Sequence, residues 1–352
     1  FVRFDLIYAQ EDISKLLEKI LKKGKIKYEL VHGSRNYFQI HEKILFEIVP
    51  VLNVKNPKEA KNVSDMSPLH VVYFFKKVRA SKKIRSEIRL TKAFLKAAKI
   101  YGAESYIKGF SGHVVDLLII NYGSFLELIK SASNWKKRKI IDIEKYHKDP
   151  MMSLNESKLQ SPLVIVDPVQ KTRNAAAALS AESYNIFRKI SREFLKNPSE
   201  TFFEKKSFLS LITAKKIELS KKAFFFEISV TPLKGKKDVI GSKILKIKEY
   251  LEKNFKKEDF KILWSDWEFD EKESIIVLAL DSKKLSEYKI LSGPPIKLKE
   301  HKKIFLKKYF DTFEKNEQLF ARIKRKYVKP TQLMKILIKD NYVLERCKSL
   351  KY

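Results

Sequence analysis

The chain has 352 residues, 44% of them hydrophobic, with 24 Phe and 15 Tyr, so it can bury more than one core and is not a disordered polyelectrolyte. Lys and Arg number 74 against 42 acidic residues, and the net charge of +32 points to an anionic polymer as partner. No apolar run reaches membrane-spanning length, and the single cysteine, Cys347, excludes an internal disulfide and a Cys-rich zinc site.

In chain order, Phe1 to Tyr8 reads as a buried strand, and a chain that opens inside a strand on Phe is expected to be cut. Ile13 to Leu21 is a short amphipathic helix; Lys25 to Val31 and Tyr37 to Ile40 are strands around a polar turn, His32 to Asn36. Ile44 to Val51 is a near-continuous apolar strand interrupted by Glu47. A dry, unpaired carboxylate there would cost several kcal/mol, so Glu47 is expected to be paired, at an edge, or bound to metal. Ser67-Pro68 opens a helix that carries His70, a packed or surface histidine on pattern alone.

Arg85 to Glu127 is the most informative stretch. Arg85, Arg89, Lys92, Lys96 and Lys99 fall on one face of a helix, and Leu90, Phe94, Ala97 and Tyr101, with Ile84, Ile88 and Leu95 beside them, are assigned to its core-facing side. The cationic stripe fits a solvated face as well as a polyanion site. Gly102 is expected to stop the helix, a Gly109-to-Gly112 turn leads into the apolar run Val114 to Ile120, and Ser124 to Glu127 reads as a capping box. Asn134 to Lys139 is a basic cluster around Trp135. Leu163 to Val166 is a strand broken by Asp167-Pro168, and Arg173-Asn174 precede a helix through Ala175 to Leu179. A helix at Ser183 to Phe194 and an Asn197-Pro198-Ser199 linker follow. The pattern then becomes βαββ: a strand at Ala223 to Val230, a helix at Ile240 to Asn254, and strands at Phe260 to Trp264 and Ser274 to Leu280. That order is half of a ferredoxin-like domain, with Trp264 and Trp267 expected in its core or, if exposed, stacked on RNA. After the Gly293-Pro294-Pro295 loop come the cationic segments His301 to Lys308 and Ala321 to Lys326, and a last helix at Thr331 to Ile338.

Three pieces of the Arg85 region, Ile100 to Glu104, Lys108 to Gly112 and Tyr122 to Glu127, resemble the neck domain of archaeal-type (class I) CCA-adding enzymes, the tRNA nucleotidyltransferases. Val166 to Val169 with Arg173-Asn174 is similar to the same family's next motif. The resemblance is strong over about residues 36 to 195 and looser beyond. It implies an α/β (α+β) chain with a polymerase-β-like nucleotidyltransferase head remnant over 1–66, a helical neck over 67–200, and a ferredoxin-like body and tail over 201–352. The implied reaction adds CMP, CMP and AMP to the 3′ end of tRNA from CTP and ATP, with Mg²⁺, in the cytoplasm, with no membrane partner and with a homodimer open to it.

The resemblance also implies roles for residues. Asp5 and Glu47 are the expected catalytic and metal-binding acids, although Arg3 stands where the first acid of the family's pair falls and Glu47 replaces an Asp. Gly33-Ser34 is rejected as the nucleotide motif, because no second acid accompanies Glu47. His70, Lys92 and Tyr101 are implied triphosphate and sugar contacts, Arg173 and Asn174 base-reading residues, and His113 structural. Arg85, Arg89, Lys96, Lys136, Lys137, Arg138, Arg322 and Lys324 are expected on RNA phosphates. With an incomplete acid set, the chain alone is expected to be a poor nucleotidyltransferase; the rival reading is a catalytically degenerate or split-enzyme tRNA-binding fragment. A poly(A) polymerase fits less well, because the Val166 to Asn174 motif belongs to the tRNA family.

Overall fold

The computed structural model describes residues 1–79 and 81–352. They form two compact units, 1–205 and 206–352.

The first unit opens with β1 (Val2–Phe4), α1 (Ile13–Lys23), β2 (Glu29–His32), β3 (Asn36–His41), β4 (Leu45–Ile48) and β5 (Pro50–Leu52). The expected single strand from Ile44 to Val51 is in fact two. β4 is an edge of the antiparallel sheet β2-β3-β4, while β5 pairs in parallel with β1. The outer strand is solvated: Leu45 and Phe46 are exposed, as is Glu47, whose carboxylate accepts from the Gln39 amide at 3.4 Å. Of the readings open for Glu47, the edge position is the one observed, and it carries no burial cost. Leu17, Leu21, Phe38 and Ile40 make the small core beneath. Buried Asp65 ties this region together. It pairs with Arg35 and accepts from the backbone N–H groups of Leu52, Lys61 and Asn62.

Then come α2 (Ser67–Val78), α3 (Lys82–Ala97), α4 (Gly112–Tyr122), α5 (Phe125–Ser133), β6 (Lys139–Ile141), α6 (Pro150–Ser153), β7 (Leu163–Ile165) and α7 (Ala181–Lys196). Ser81, Ser111, Ser124 and Ser180 cap α3, α4, α5 and α7 by accepting a backbone N–H, which satisfies donors the helix leaves unpaired. At α5 the Ser124 half of the expected capping box forms, and Glu87 of α3 accepts from the Phe125 N–H. The buried face of α3 is Ile88, Thr91, Phe94 and Leu95, whereas Leu90 is exposed. The sequence reading placed Ile88, Phe94 and Leu95 inward, as observed, but gave Leu90 a core role and overlooked Thr91, whose hydroxyl donates to the Glu87 carbonyl. Nor does Gly102 end α3. The helix closes at Ala98 with Lys99 left-handed, and Gly102, at φ 127°, belongs to the next turn, where it bonds Phe110 and Gly109 through the main chain. Trp135, the aromatic of the basic cluster, is buried and stacks on Tyr184 at 5.5 Å.

Residues 175–179 are a turn, not a helix. The Asn174 side-chain oxygen accepts from the N–H groups of Ile165 and Ala176 and the Ala175 N–H donates to the Ile165 carbonyl, so the segment is pinned to β7 and makes only the short turn bonds from Ala177 to Asn174 and from Leu179 to Ala176.

The second unit comprises α8 (Phe208–Leu219), β8 (Ala223–Thr231), α9 (Lys237–Lys257), β9 (Ile262–Glu268), β10 (Ser274–Asp281), β11 (Tyr288–Pro295), α10 (Lys299–Lys308), β12 (Thr312–Lys315), β13 (Gln318–Lys324), α11 (Pro330–Leu337), α12 (Asn341–Leu344) and β14 (Ser349–Lys351). β8 and β9 both run antiparallel to β10, which lies between them, so β8-α9-β9 is the split βαβ unit of a ferredoxin-like half. Ile244, Ile247, Leu251 and Phe255 of α9 pack on this sheet and on Leu333, Met334 and Leu337 of α11. Trp267 packs against that core and Trp264 against the cluster formed with α8. A separate sheet, β11-β13-β12, carries Arg322 and Lys324 exposed on its central strand, Arg322 standing 3.9 Å from Asp311.

Candidate functional site

Asp167 is the centre of the site. It follows β7, is fully buried, and is held by its own loop: its Oδ1 accepts from the N–H groups of Val169 and Gln170, and its N–H donates to the Arg173 carbonyl. Arg173 returns to it from the far end of that loop, Nη1 donating to Oδ2 at 2.6 Å. His70 Nε2, from α2, stands 2.9 Å from the same oxygen. The second residue of α4, His113, places Nε2 at 3.8 Å, too far for a hydrogen bond, with its ring edge-on to that of His70 at 4.6 Å between centroids. Burial pushes the Asp167 carboxyl up, but His113, His70 and the Val169 N–H outweigh it and hold the group well below the usual carboxylate range. Arg173 keeps 37% of its side-chain surface, so an anchored guanidinium still offers donors outward.

A second group adjoins it along α4. Lys92 Nζ lies 3.2 Å from Asp116 Oδ1, and burial pushes the Asp116 carboxyl up against the pull of Lys92. Gly112, the first residue of α4, makes the room: a Cβ there would meet the Tyr101 hydroxyl at 3.2 Å and Lys92 Nζ at 3.9 Å. Tyr101 in turn stands under Lys96, 5.1 Å from ring centroid to Nζ. Arg85, Arg89, Lys92 and Asp116 line an open pocket of about 610 Å³ floored by Phe74 and Ile88. Arg85, Arg89 and Lys96 are exposed, as are Lys136, Lys137 and Arg138 beyond α5.

Thus His70 and Arg173 come together on one carboxylate, and Lys92 and Tyr101 come together beside Gly112. Asn174 does not join either group as a reader. Its amide is 2% exposed and spent on main chain, Nδ2 donating to the carbonyls of Lys158 and Leu163 and Oδ1 accepting as described. Asp5 is not an acid of a metal set either. It caps a single 3₁₀ turn, Leu6–Tyr8, by accepting from the Ile7 N–H, just past Phe4, which pairs with Leu52. Mg²⁺ requires several oxygen ligands. Among the described residues the three-ligand group is His70, His113 and Asp167, two of them nitrogen donors, and neither Asp5 nor Glu47 belongs to such a group. By themselves Asp5 and Glu47 do not complete an oxygen ligand set for Mg²⁺. Asp116 was missed by sequence reading, although an acid inside the apolar run Val114 to Ile120 was an available signal, and His113, read as structural, stands beside Asp167 with nothing local to mark it.

Residues 86–204 match the family described as tRNA nucleotidyltransferase, second domain, and residues 222–344 the family described as CCA-adding enzyme, C-terminal domain. A CCA-adding enzyme of Methanocaldococcus jannaschii is 31% identical, over 97% of this chain and 76% of that protein. The chain belongs to the CCA-adding enzyme family. CCA-adding enzymes of Nanoarchaeum equitans, 35% identical over 72% of this chain and 62% of that protein, and of Thermococcus gammatolerans, 31% identical over 93% and 71%, are also similar to it. The chain therefore spans between 62% and 76% of the length of these CCA-adding enzymes. Among the described residues no single helix is long and apolar enough to cross a membrane.

Proposed function

We propose that this chain carries the nucleotide-selecting and tRNA-holding parts of a tRNA nucleotidyltransferase that adds CCA to the tRNA 3′ end from CTP and ATP without a nucleic-acid template. The division into a head over 1–66, a neck over 67–200 and a body and tail over 201–352 is part of the proposal, as are a cytoplasmic setting and Mg²⁺ as the divalent ion. Enzymes of this family use divalent metal ions. Glu47, exposed on an edge strand, is the acid this chain would contribute toward one.

The observation that carries the reading is Arg173 fixed on buried Asp167 with part of its fork exposed. A guanidinium anchored at one nitrogen has lost its rotamer freedom before any ligand arrives. Its remaining donors then meet acceptors on a base edge at low entropic cost and in fixed geometry. His70, held on the same Asp167 oxygen as Arg173, would contact ribose or triphosphate, while Lys92 and Tyr101 would meet triphosphate oxygens in the space that Gly112 leaves. The exposed cations of α3, the 136–138 segment and β13 would meet tRNA phosphates.

Equilibrium binding of CTP, ATP, UTP and GTP to the full chain tests it. Arg173→Ala should erase the preference for CTP and ATP while leaving tRNA affinity within about threefold. Equal losses for all nucleotides and for tRNA would make Arg173 a fold residue and sink the reading.

A further inference from the structure

His113 is the one member of the Asp167 cluster with no hydrogen-bonding partner for its inward nitrogen: Nε2 is inaccessible to solvent and stops 3.8 Å short of Asp167 Oδ2. A buried, unpartnered imidazole nitrogen facing a carboxylate is what a ligand set looks like without its ion. We propose that His70 Nε2, His113 Nε2 and Asp167 Oδ2 form a binding site for Zn²⁺, and that the ion competes with Arg173 for Asp167.

Zn²⁺ prefers imidazole and carboxylate ligands, takes three from protein and one from water in open sites, and binds them at about 2.0–2.2 Å. In a tetrahedral site such bonds place neighbouring ligand atoms roughly 3.3 Å apart. Here the two nitrogens lie 2.9 Å and 3.8 Å from the shared oxygen, on either side of that value, and all three atoms fall within 4.8 Å of one another. Small rotations of two rings would complete the site without moving the backbone. The supporting shell is in place, since the Val169 and Gln170 N–H groups hold Oδ1 and so leave Oδ2 as the coordinating atom. Two nitrogens and one oxygen suit Zn²⁺ and not Mg²⁺.

One feature opposes the ion: Arg173 Nη1 already occupies Oδ2 at 2.6 Å. A fixed cation there repels a second cation and must leave for coordination to complete. Bound Zn²⁺ would therefore release the Arg173 side chain from its anchor. The geometry of the ligand set stands whatever Arg173 recognises.

Titration of the full chain, stripped with chelator and free of nucleotide and tRNA, with Zn²⁺ by calorimetry and with Co²⁺ by visible absorption tests both parts. One ion should bind per chain, with the Co²⁺ spectrum of a low-coordinate nitrogen and oxygen site. His113→Phe, which keeps a ring in the same space, should weaken binding at least a hundredfold, and Arg173→Ala should tighten it about tenfold. His301→Ala, at an exposed histidine of the second unit, should change nothing. Unchanged affinity in His113→Phe overturns the site, and unchanged or weaker affinity in Arg173→Ala overturns the competition. Far-ultraviolet circular dichroism on each variant separates either result from misfolding.

Discussion

Asp65 and Asn174 are polar residues whose every interaction is internal. Asp65 is fully buried; burial raises its carboxyl, but Arg35 and the N–H groups of Leu52 and Asn62 outweigh that and set it below the ordinary value of 3.8. A depressed folded pKa means stability that is present above the unfolded value and lost as pH falls through the folded one. The unfolding midpoint should therefore drop on acidification below about pH 4. Asp65→Asn, which strands the Arg35 charge, should cost about 3–5 kcal/mol at pH 7, and its deficit against the parent should shrink toward pH 3, as read by thermal melts across pH. Asn174→Ala removes four main-chain partners and should cost about 2–4 kcal/mol in urea unfolding. Loss of nucleotide affinity with no loss of stability would instead restore its expected role in base reading. This scale was the least legible in the sequence. A motif can name Arg173 and Asn174 together, but only the path of the chain decides that one side chain stays accessible while its neighbour is consumed by backbone.

At the scale of elements, apolar spacing located α3 and α4 and the Ser124 cap located the start of α5, because helical period and serine caps are local. Which face turns inward is not local. On α3 the stripe through Leu90 and the stripe through Ile88 and Thr91 have similar spacing. The aromatic cluster that Phe94 joins, with Phe125, Phe194, Phe202 and Phe203, decides between them from across the chain. Phe94→Ala should destabilise by about 3–5 kcal/mol, and Leu90→Ser should stay within about 0.5 kcal/mol of the parent, both by denaturant unfolding. A large cost at Leu90 would return it to the core. The same limit explains the strand from Ile44 to Val51: its apolar residues gave no sign that the chain changes sheets at Val49, so exposed Leu45 and Phe46 read as part of one apolar strand.

The whole molecule carries +32, and both units present exposed cations. If tRNA is held mainly through phosphates, log affinity should fall linearly with log salt, each phosphate contact contributing about 1 to the slope. Not every cation should count. Arg85, Arg89 and Lys96 are exposed along α3, whereas Lys92 is partly buried and 3.2 Å from Asp116, already neutralised within the protein. Replacing the first three together by Ala should weaken tRNA binding and flatten the slope by about 2 to 3. Lys92→Ala should leave the slope alone and weaken CTP and ATP instead, since its ammonium stands beside Tyr101 in the space that Gly112 opens. Filter binding of tRNA from low to moderate salt separates the two classes of cation. A slope that changes with Lys92 and not with the exposed three would place the RNA in the pocket and leave the α3 stripe a solvated face.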